Sequence, residues 1–516
     1  MATFTSFNPR TGQPGASRFE DATSEQVAEA ARRAEAAFRS SRHQQPADVA
    51  LELSAIADEL DALGEETVNT ADRETGLGRP RLTGELARAS GQFRSFAKVC
   101  VEGSFVEAVV DHARPDRTPP RPAPPRPDLR RMLFPLGPVV VFGASNFPFA
   151  FSVPGGDTAS AVAARCPVVF KAHPAHPETS QLCGEAIERA LAASGAPPGM
   201  FSLVNGRDNR VGEELVTAPE IKAVGFTGSL RGGRALYELA ARRAEPIPVY
   251  AEMGSVNPVF VSERALEARL DSIAEGFVGS MTQGGGQFCT KPGLAFIPEG
   301  GRGRLWLQSV ASRARELDSA FLLNAQARDA LAAQVEQTSR LPGVEVVAGA
   351  RPADGPGFTY AITVLATDDH TFMNTPELSQ EHFGPFAVVV RCESHVRQLE
   401  AARHLHGNLT ATVHAESSEV AELRELVDEL RQKVGRLIWN GYPTGVAVTQ
   451  AIMHGGPYPA TTVPLHTSVG TSAIKRFLRP VAYQSSPEEL LPPELRDSNP
   501  LGIMRLVDGE WTRDSS

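Results

Sequence analysis

A chain of 516 residues, 41% hydrophobic and 22% charged, is long enough for two or three domains with separate cores and has the balance of an ordinary globular protein. A net charge of −10 argues against nucleic acid as a partner, and no apolar run approaches the length of a membrane-spanning helix. Five scattered cysteines, without zinc-type Cys/His spacing, exclude a disulfide framework and a metal centre of that kind; a reducing cytoplasm is the expected compartment.

The N-terminus, Met1 to Arg10, lacks a basic stretch followed by an apolar core and is not read as a secretory signal. From Thr23 to about Arg39, Val27, Ala31, Ala34 and Phe38 recur at helical spacing, and Thr23 with Gln26 forms a capping box. A second helix carries Leu53, Ile56, Leu60 and Leu63 and stops at Gly64; a third covers Leu82 to Cys100. Pro115 to Pro127 holds seven prolines interleaved with arginines. Proline removes a donor and blocks the helical turn, so this segment is either an extended surface connection or an arm crossing to another subunit.

After it, β-rich runs alternate with Ala-rich helical ones. Val139–Phe142, Val168–Lys171, Phe201–Val204, Ile221–Phe226 and Ile247–Ala251 read as strands; Asp157–Arg165, Glu178–Ser194 and Leu230–Arg243 read as helices. That alternation predicts βαβ units around a parallel sheet buried on both faces. A second α/β block follows, with strands at Pro258–Val261, Leu294–Ile297, Ala387–Arg391, Leu409–Val413 and Arg436–Trp439. The proline-containing residues after Ser485 read as a tail or covering arm.

Chemistry concentrates at Gly284-Gly285-Gly286-Gln287-Phe288-Cys289-Thr290. Glycine lets backbone N–H groups approach a substrate, and a thiol flanked by glycine and a polar amide does not read as core. A working thiol needs a base nearby, and Glu252 in Tyr250-Ala251-Glu252-Met253-Gly254 is the expected partner. Asn146, in the loop after Val139–Phe142, is either an oxyanion donor or a turn residue. With only six lysines in the chain, Lys171 at a strand end reads as a ribose or phosphate contact or as a solvated strand end. Gly228 and Gly233 flank Ser229 where a strand turns into a helix, a place where pyrophosphate can approach the helix start, although two glycines alone are a weak signal. Glu381 and Phe383, just before Gly384-Pro385, offer a ribose ligand and a nicotinamide contact, or an ordinary turn.

In this order and spacing, Phe142–Pro148, Val168–Pro174, Phe226–Gly233, Ala251–Gly254, Gly286–Pro292 and Glu381–Pro385 resemble the aldehyde dehydrogenase superfamily. The stretches Gly286–Gly293, Asn440–Val446 and His454–Thr461 are similar to its α-ketoglutaric semialdehyde (2,5-dioxopentanoate) dehydrogenases, which lie close to NADP-dependent fatty aldehyde dehydrogenases. The resemblance implies two Rossmann-type α/β domains plus a small β oligomerisation arm. Residues 1–110 and 132–254 would bind the dinucleotide, 255–465 would be catalytic, and 111–131 with 466–516 would form the arm and tail. It implies Cys289 as nucleophile, Glu252 as the base that activates water, and Asn146 as oxyanion donor. Lys171, Ser229, Gly228, Gly233, Glu381 and Phe383 would hold the cofactor. Pro174 stands where many NAD-dependent members carry a glutamate, so NADP is the expected cofactor with NAD the alternative; Arg210 or Arg207 would pair the 2′-phosphate. Ser145 stands where many relatives have a tryptophan, which opens the pocket wall. The substrate would be a small aldehyde, a semialdehyde of a 2-oxo acid first and a medium or long aliphatic aldehyde second, the latter in a tunnel lined by Phe147, Phe151 and Phe288. The assembly would be a homodimer or homotetramer.

Overall fold

Helix α1 (Ser24–Ser40) starts where Thr23 accepts from the Gln26 N–H and Gln26 returns a side-chain oxygen to the Thr23 N–H. Its face of Val27, Ala30, Ala31, Ala34 and Ala37 is buried, as the spacing required. The computed structural model describes residues 3–114, 126–317 and 319–516, so Pro115–Pro125 of the proline-arginine run lies outside the described residues. At its ends Arg114 and Arg126 pair through two backbone hydrogen bonds of 2.9 and 3.0 Å. Helices α2 (Pro46–Ala62), α3 (Gly64–Thr75) and α4 (Arg79–Glu102) follow. Helix α3 shows no apolar period, because its buried face is built from Thr67, Thr70 and Glu74 as much as from Val68 and Ala71. The second helix ends before Gly64 as expected; Gly64 adopts φ +61°, and a new helix begins there.

The first sheet has five parallel strands in the order Phe201–Val204, Val168–Lys171, Val139–Phe142, Ala223–Thr227, Val249–Glu252. Helices α5 (Gly156–Ala163), α6 (Pro177–Ala193), α7 (Asn209–Thr217) and α8 (Leu230–Ala241) connect and cover it. Helix α7 is a second one the sequence reading passed over. The register pairs Phe142 with both Lys171 and Phe226, and Thr227 with Glu252. The carboxyl ends of these strands therefore lie level, and the loops that follow them share one edge of the sheet, where ligands of open parallel sheets bind.

A seven-stranded sheet carries the second half, in the order Glu345–Ala348, Thr363–Asp368, Phe386–Cys392, Leu294–Pro298, Val259–Val261, Asn408–His414, Val434–Trp439. Only its Glu345–Ala348 edge runs antiparallel. The two faces bury different clusters. Phe260 and Phe296 stack at 4.6 Å on one, while Val259, Val261, Phe277 and Trp306 pack on the other. Each such aromatic contributes roughly 1.5–3 kcal/mol by leaving water.

A third sheet orders Leu478–Gln484, Leu129–Pro135, Val109–Asp111, Arg505–Val507 and Glu510–Thr512. Of the two expectations for the C-terminus, the covering arm is the one observed. The residues after Ser485 are not a loose tail: Leu491, Leu495 and Ile503 are buried with Val106, Ala108 and Met132, and two short strands extend the sheet. Neither strand exceeds three residues, too short for an alternating pattern to show in the sequence. Among the described residues, no helix is long and apolar enough to cross a membrane.

Candidate active site

The helix Glu263–Thr282 ends in a turn where Gly284, Gly285 and Gly286 all take positive φ, at 59°, 69° and 68°. Three consecutive left-handed residues strain any L side chain, which explains the glycine run physically. A Cβ on Gly286 would also lie 2.2 Å from the Gly384 carbonyl oxygen, so the Cys289 loop and the Phe383-Gly384 turn pack backbone to backbone. Gln287 is fully buried and pins the turn: it accepts from the Leu323 N–H and donates to the Phe321 and Gly284 carbonyls. Asn257 donates to the carbonyls of Cys289 and Lys291 at 2.8 and 2.9 Å. The thiol is thus held on a rigid loop, half-buried, while the other four cysteines are buried.

The structure places a histidine between the two groups that the sequence reading had paired directly. His454 Nε2 lies 3.6 Å from Cys289 Sγ, and His454 Nδ1 lies 2.6 Å from Glu252 Oε2. The three reactive atoms lie within 4.8 Å of one another. His454 reaches this position because the stretch after it returns to the end of the first sheet. Met253 N–H donates to the Ala460 carbonyl, Thr462 N–H donates to the Ala251 carbonyl, and Thr467 Oγ1 accepts from the His454 N–H. Nothing in the spacing announces this partner 165 residues downstream of Cys289. The one available signal was the pair of glycines after it, which the chain needs because a Cβ on Gly456 would lie 2.1 Å from the Asn408 carbonyl oxygen.

Burial by itself would raise the Glu252 carboxyl, but His454 and the Ser468 hydroxyl outweigh it and hold the group below the usual carboxylate range. Its Oε2 carries both bonds; its Oε1 is buried and has no partner among the described residues. The Cys289 thiol is pushed well up, by burial first and then by the charges of Glu252 and Glu381. A thiol that keeps its proton beside a histidine backed by a carboxylate is arranged for proton removal during attack.

Asn146 is buried in the loop after Val139–Phe142, and its Nδ2 donates to the Gln287 carbonyl at 2.8 Å. One amide hydrogen is spent fixing the two loops together, and the second remains for an oxyanion. Phe147, Phe151 and Phe288 pack into one apolar cluster that reaches His454. Phe147 meets each of the other two edge-on at 5.1 Å, and the Phe151 ring lies 6.0 Å from the His454 ring.

The proposed cofactor residues line the level strand ends. Lys171 donates to the Gly206 carbonyl, and burial draws its ammonium down to about 8 against the opposing charges of Asp21 and Asp208. Ser229 is the N-cap of α8 and accepts from the Gly232 N–H; Gly228, Ser229, Leu230 and Arg231 are exposed, so the helix start is open to a phosphate. Gly233 has a different demand on it from the one expected: a Cβ there would lie 2.5 Å from Met253 Sδ, which makes it a helix-to-strand packing glycine. Arg210 is also differently employed, with Nη1 on Glu214 and Nη2 on the Ala22 carbonyl, so a 2′-phosphate would have to displace those bonds. Glu381 accepts from the Ser255 N–H at 3.3 Å and lies beside Lys291; burial raises its carboxyl, with the Lys291 charge opposing. Phe383 is half-buried in the turn that packs on Gly286. An open helix start, a desolvated lysine and a carboxylate beside the thiol loop fit a nicotinamide dinucleotide.

The aldehyde dehydrogenase family profile matches residues 2–458 of this sequence. The chain belongs to the aldehyde dehydrogenase family. Among curated aldehyde dehydrogenases it is 46% identical to alpha-ketoglutaric semialdehyde dehydrogenase 2 of Azospirillum brasilense, over 98% of this chain and 96% of that protein. It is 42% identical to the alpha-ketoglutaric semialdehyde dehydrogenase of Acinetobacter baylyi, over 99% and 96%. Among solved structures, 1-pyrroline-5-carboxylate dehydrogenase of Thermus thermophilus shares the aldehyde dehydrogenase fold at a TM-score of 0.78 and 23% identity, covering 94% of this chain and 90% of that one. Betaine aldehyde dehydrogenase of Staphylococcus aureus does so at 0.80 and 18%, covering 94% and 93%.

Proposed function

We propose that this aldehyde dehydrogenase oxidises 2,5-dioxopentanoate to 2-oxoglutarate with NADP as acceptor, in a cytoplasm that keeps its five cysteines free. The observation that carries the chemistry is the line Cys289–His454–Glu252, with 3.6 Å and 2.6 Å between successive atoms. The substrate rests on the two semialdehyde dehydrogenases that resemble this chain over nearly its whole length.

The residues divide the work as follows. His454 Nε2 takes the thiol proton as Cys289 Sγ adds to the aldehyde carbon, and Glu252 stabilises the imidazolium through Nδ1–H. The thiohemiacetal oxyanion is held by the second Asn146 amide hydrogen and the Cys289 N–H, a type of donor worth about 2.7–4 kcal/mol each in the transition state. Bound NADP supplies the acceptor for the hydride that the thiohemiacetal carbon gives up, leaving a thioester on Cys289. Glu252 Oε1, the carboxylate oxygen without a partner among the described residues, accepts a proton from the water that attacks the thioester. The carboxylic acid leaves and Cys289 recovers its proton. Lys171 would hold a ribose hydroxyl or the 2′-phosphate of NADP, Glu381 would hold ribose hydroxyls, Ser229 and the start of α8 would hold pyrophosphate, and Phe383 would limit the nicotinamide position.

Support for NADP comes from Pro174, which puts no carboxylate at that position to repel a 2′-phosphate, although Asp21 and Asp208 still act on Lys171. The test is a panel of 2,5-dioxopentanoate, succinic semialdehyde, glycolaldehyde, hexanal and decanal with both cofactors. The highest kcat/KM is expected for 2,5-dioxopentanoate with NADP. A clear preference for decanal, or for NAD, overturns the corresponding half of the proposal.

A further inference from the structure

Two arginines of α4, seven residues apart and so on one helix face, border the aromatic cluster that reaches His454. The Arg81 guanidinium lies 4.8 Å from the Phe147 ring and 4.6 Å from the Phe288 ring. Its Nη2 donates to the Asn146 carbonyl at 2.6 Å, and its Nε is 4.0 Å from Glu85. Glu85 itself is buried and spends Oε1 on the N–H groups of Phe149 and Ala150. Glu85 is thus the carboxylate that the two guanidiniums share on this helix, and one of its oxygens is already spent on backbone N–H groups.

Arg88 is the group without an assigned task. It lies 5.3 Å over Phe151, the ring adjoining His454. Among the described residues, its buried Nε and Nη2 have no hydrogen-bond partner. Those two donors share one edge of the guanidinium and form the fork that matches a carboxylate bidentately. A buried donor pair left unmade is costly, and a cation on the wall of an aromatic pocket is a poor choice for an aliphatic chain. Arg88 is also near enough to Cys289 and Glu252 for the charges to interact.

We propose that Arg88, with Arg81 beside it, binds the carboxylate end of an ω-aldehyde acid while the aldehyde carbon rests at Cys289, and so is the residue that selects acidic over neutral aldehydes. This rests on the reading of the substrate as a semialdehyde of a 2-oxo acid and names what recognises its acid end. The aldehyde and carboxylate carbons of a five-carbon chain lie about 5 Å apart when extended, which is the gap such a substrate would bridge. The adjacent 2-oxo group then sits against the same guanidinium edge or that of Arg81.

The test compares kcat/KM for 5-oxopentanoate and pentanal, equal in length and differing in charge, in wild type, Arg88→Met and Arg88→Lys. Wild type is expected to prefer the acid. Arg88→Met should lower the acid-to-neutral ratio on the order of 100-fold, mainly through KM for the acid, and Arg88→Lys should fall between, since a point charge replaces a fork. A ratio within about twofold of wild type in Arg88→Met overturns the assignment. A second readout needs no variant: glutarate should slow alkylation of wild-type Cys289 by iodoacetamide, and 1-pentanol should not. Equal protection, or none, overturns the anion site even if Arg88→Met does not fold. If wild type prefers 2,5-dioxopentanoate but Arg88→Met keeps the ratio, Arg88 alone is wrong. If 5-oxopentanoate responds to Arg88 while 2,5-dioxopentanoate is a poor substrate, the 2-oxo acid reading is wrong and the carboxylate site stands.

Discussion

At Cys289, burial and two neighbouring carboxylates keep the proton on sulfur, so the nucleophile must be made at the moment of attack. That requirement gives His454 its role and separates it from Glu252. Replacing His454 with Gln should slow the first turnover by about 100- to 10,000-fold, the range for a positioned base. Glu252→Gln should still deliver a burst of NADPH equal to the enzyme present and then stall at thioester hydrolysis. Rapid-mixing absorbance at the NADPH band distinguishes them; a full burst in the His454 variant would return the first proton to another group. Lys171 supports a pH prediction. Its ammonium, drawn down to about 8 by burial, is charged below that pH and neutral above it. NADP binding should therefore weaken as pH rises through about 8 to 9, more steeply than NAD binding, and Lys171→Met should remove the difference. Fluorescence titration of cofactor at several pH values measures it.

Secondary elements matter here mainly as rulers. The level register of Val139–Phe142, Val168–Lys171, Ala223–Thr227 and Val249–Glu252 sets Lys171, the Gly228 turn and Glu252 along one edge. These strands were legible because each is a short apolar, β-branched run buried on both faces. The glycine turn before Cys289 was legible too, since only glycine tolerates three left-handed residues in a row. Gly286→Ala adds φ strain of about 1–2 kcal/mol and puts a methyl 2.2 Å from the Gly384 oxygen. It should lower Tm and cut kcat by moving the thiol. Gly301→Ala, at a helix position where the added methyl meets nothing within 4 Å, is the control and should leave both unchanged.

For the whole molecule, the third sheet carries the prediction. Arg505 is fully buried inside it and donates to the carbonyls of Glu494, Arg496, Asp497 and Asp514. Arg505→Met leaves those acceptors unmet and should cost about 3 kcal/mol, read by chemical denaturation. The edge strand Leu478–Gln484 is where a second subunit would add its own chain, so light scattering of the full-length protein should give a dimer or tetramer mass. A monomer at micromolar concentration would overturn that reading. The sequence by itself determined the parallel-strand alternation, the capped first helix and the glycine turn before Cys289, because each rests on local backbone demands or on a period of a few residues. Tertiary structure alone decided that His454 stands between Cys289 and Glu252, that Gly233 serves packing, that Arg210 is engaged elsewhere, and that Arg88 Nε and Nη2 have no hydrogen-bond partner among the described residues. Those facts depend on contacts between segments apart in the sequence, Gly233 against Met253 and His454 against Glu252 among them, whose directions only the packed sheets set.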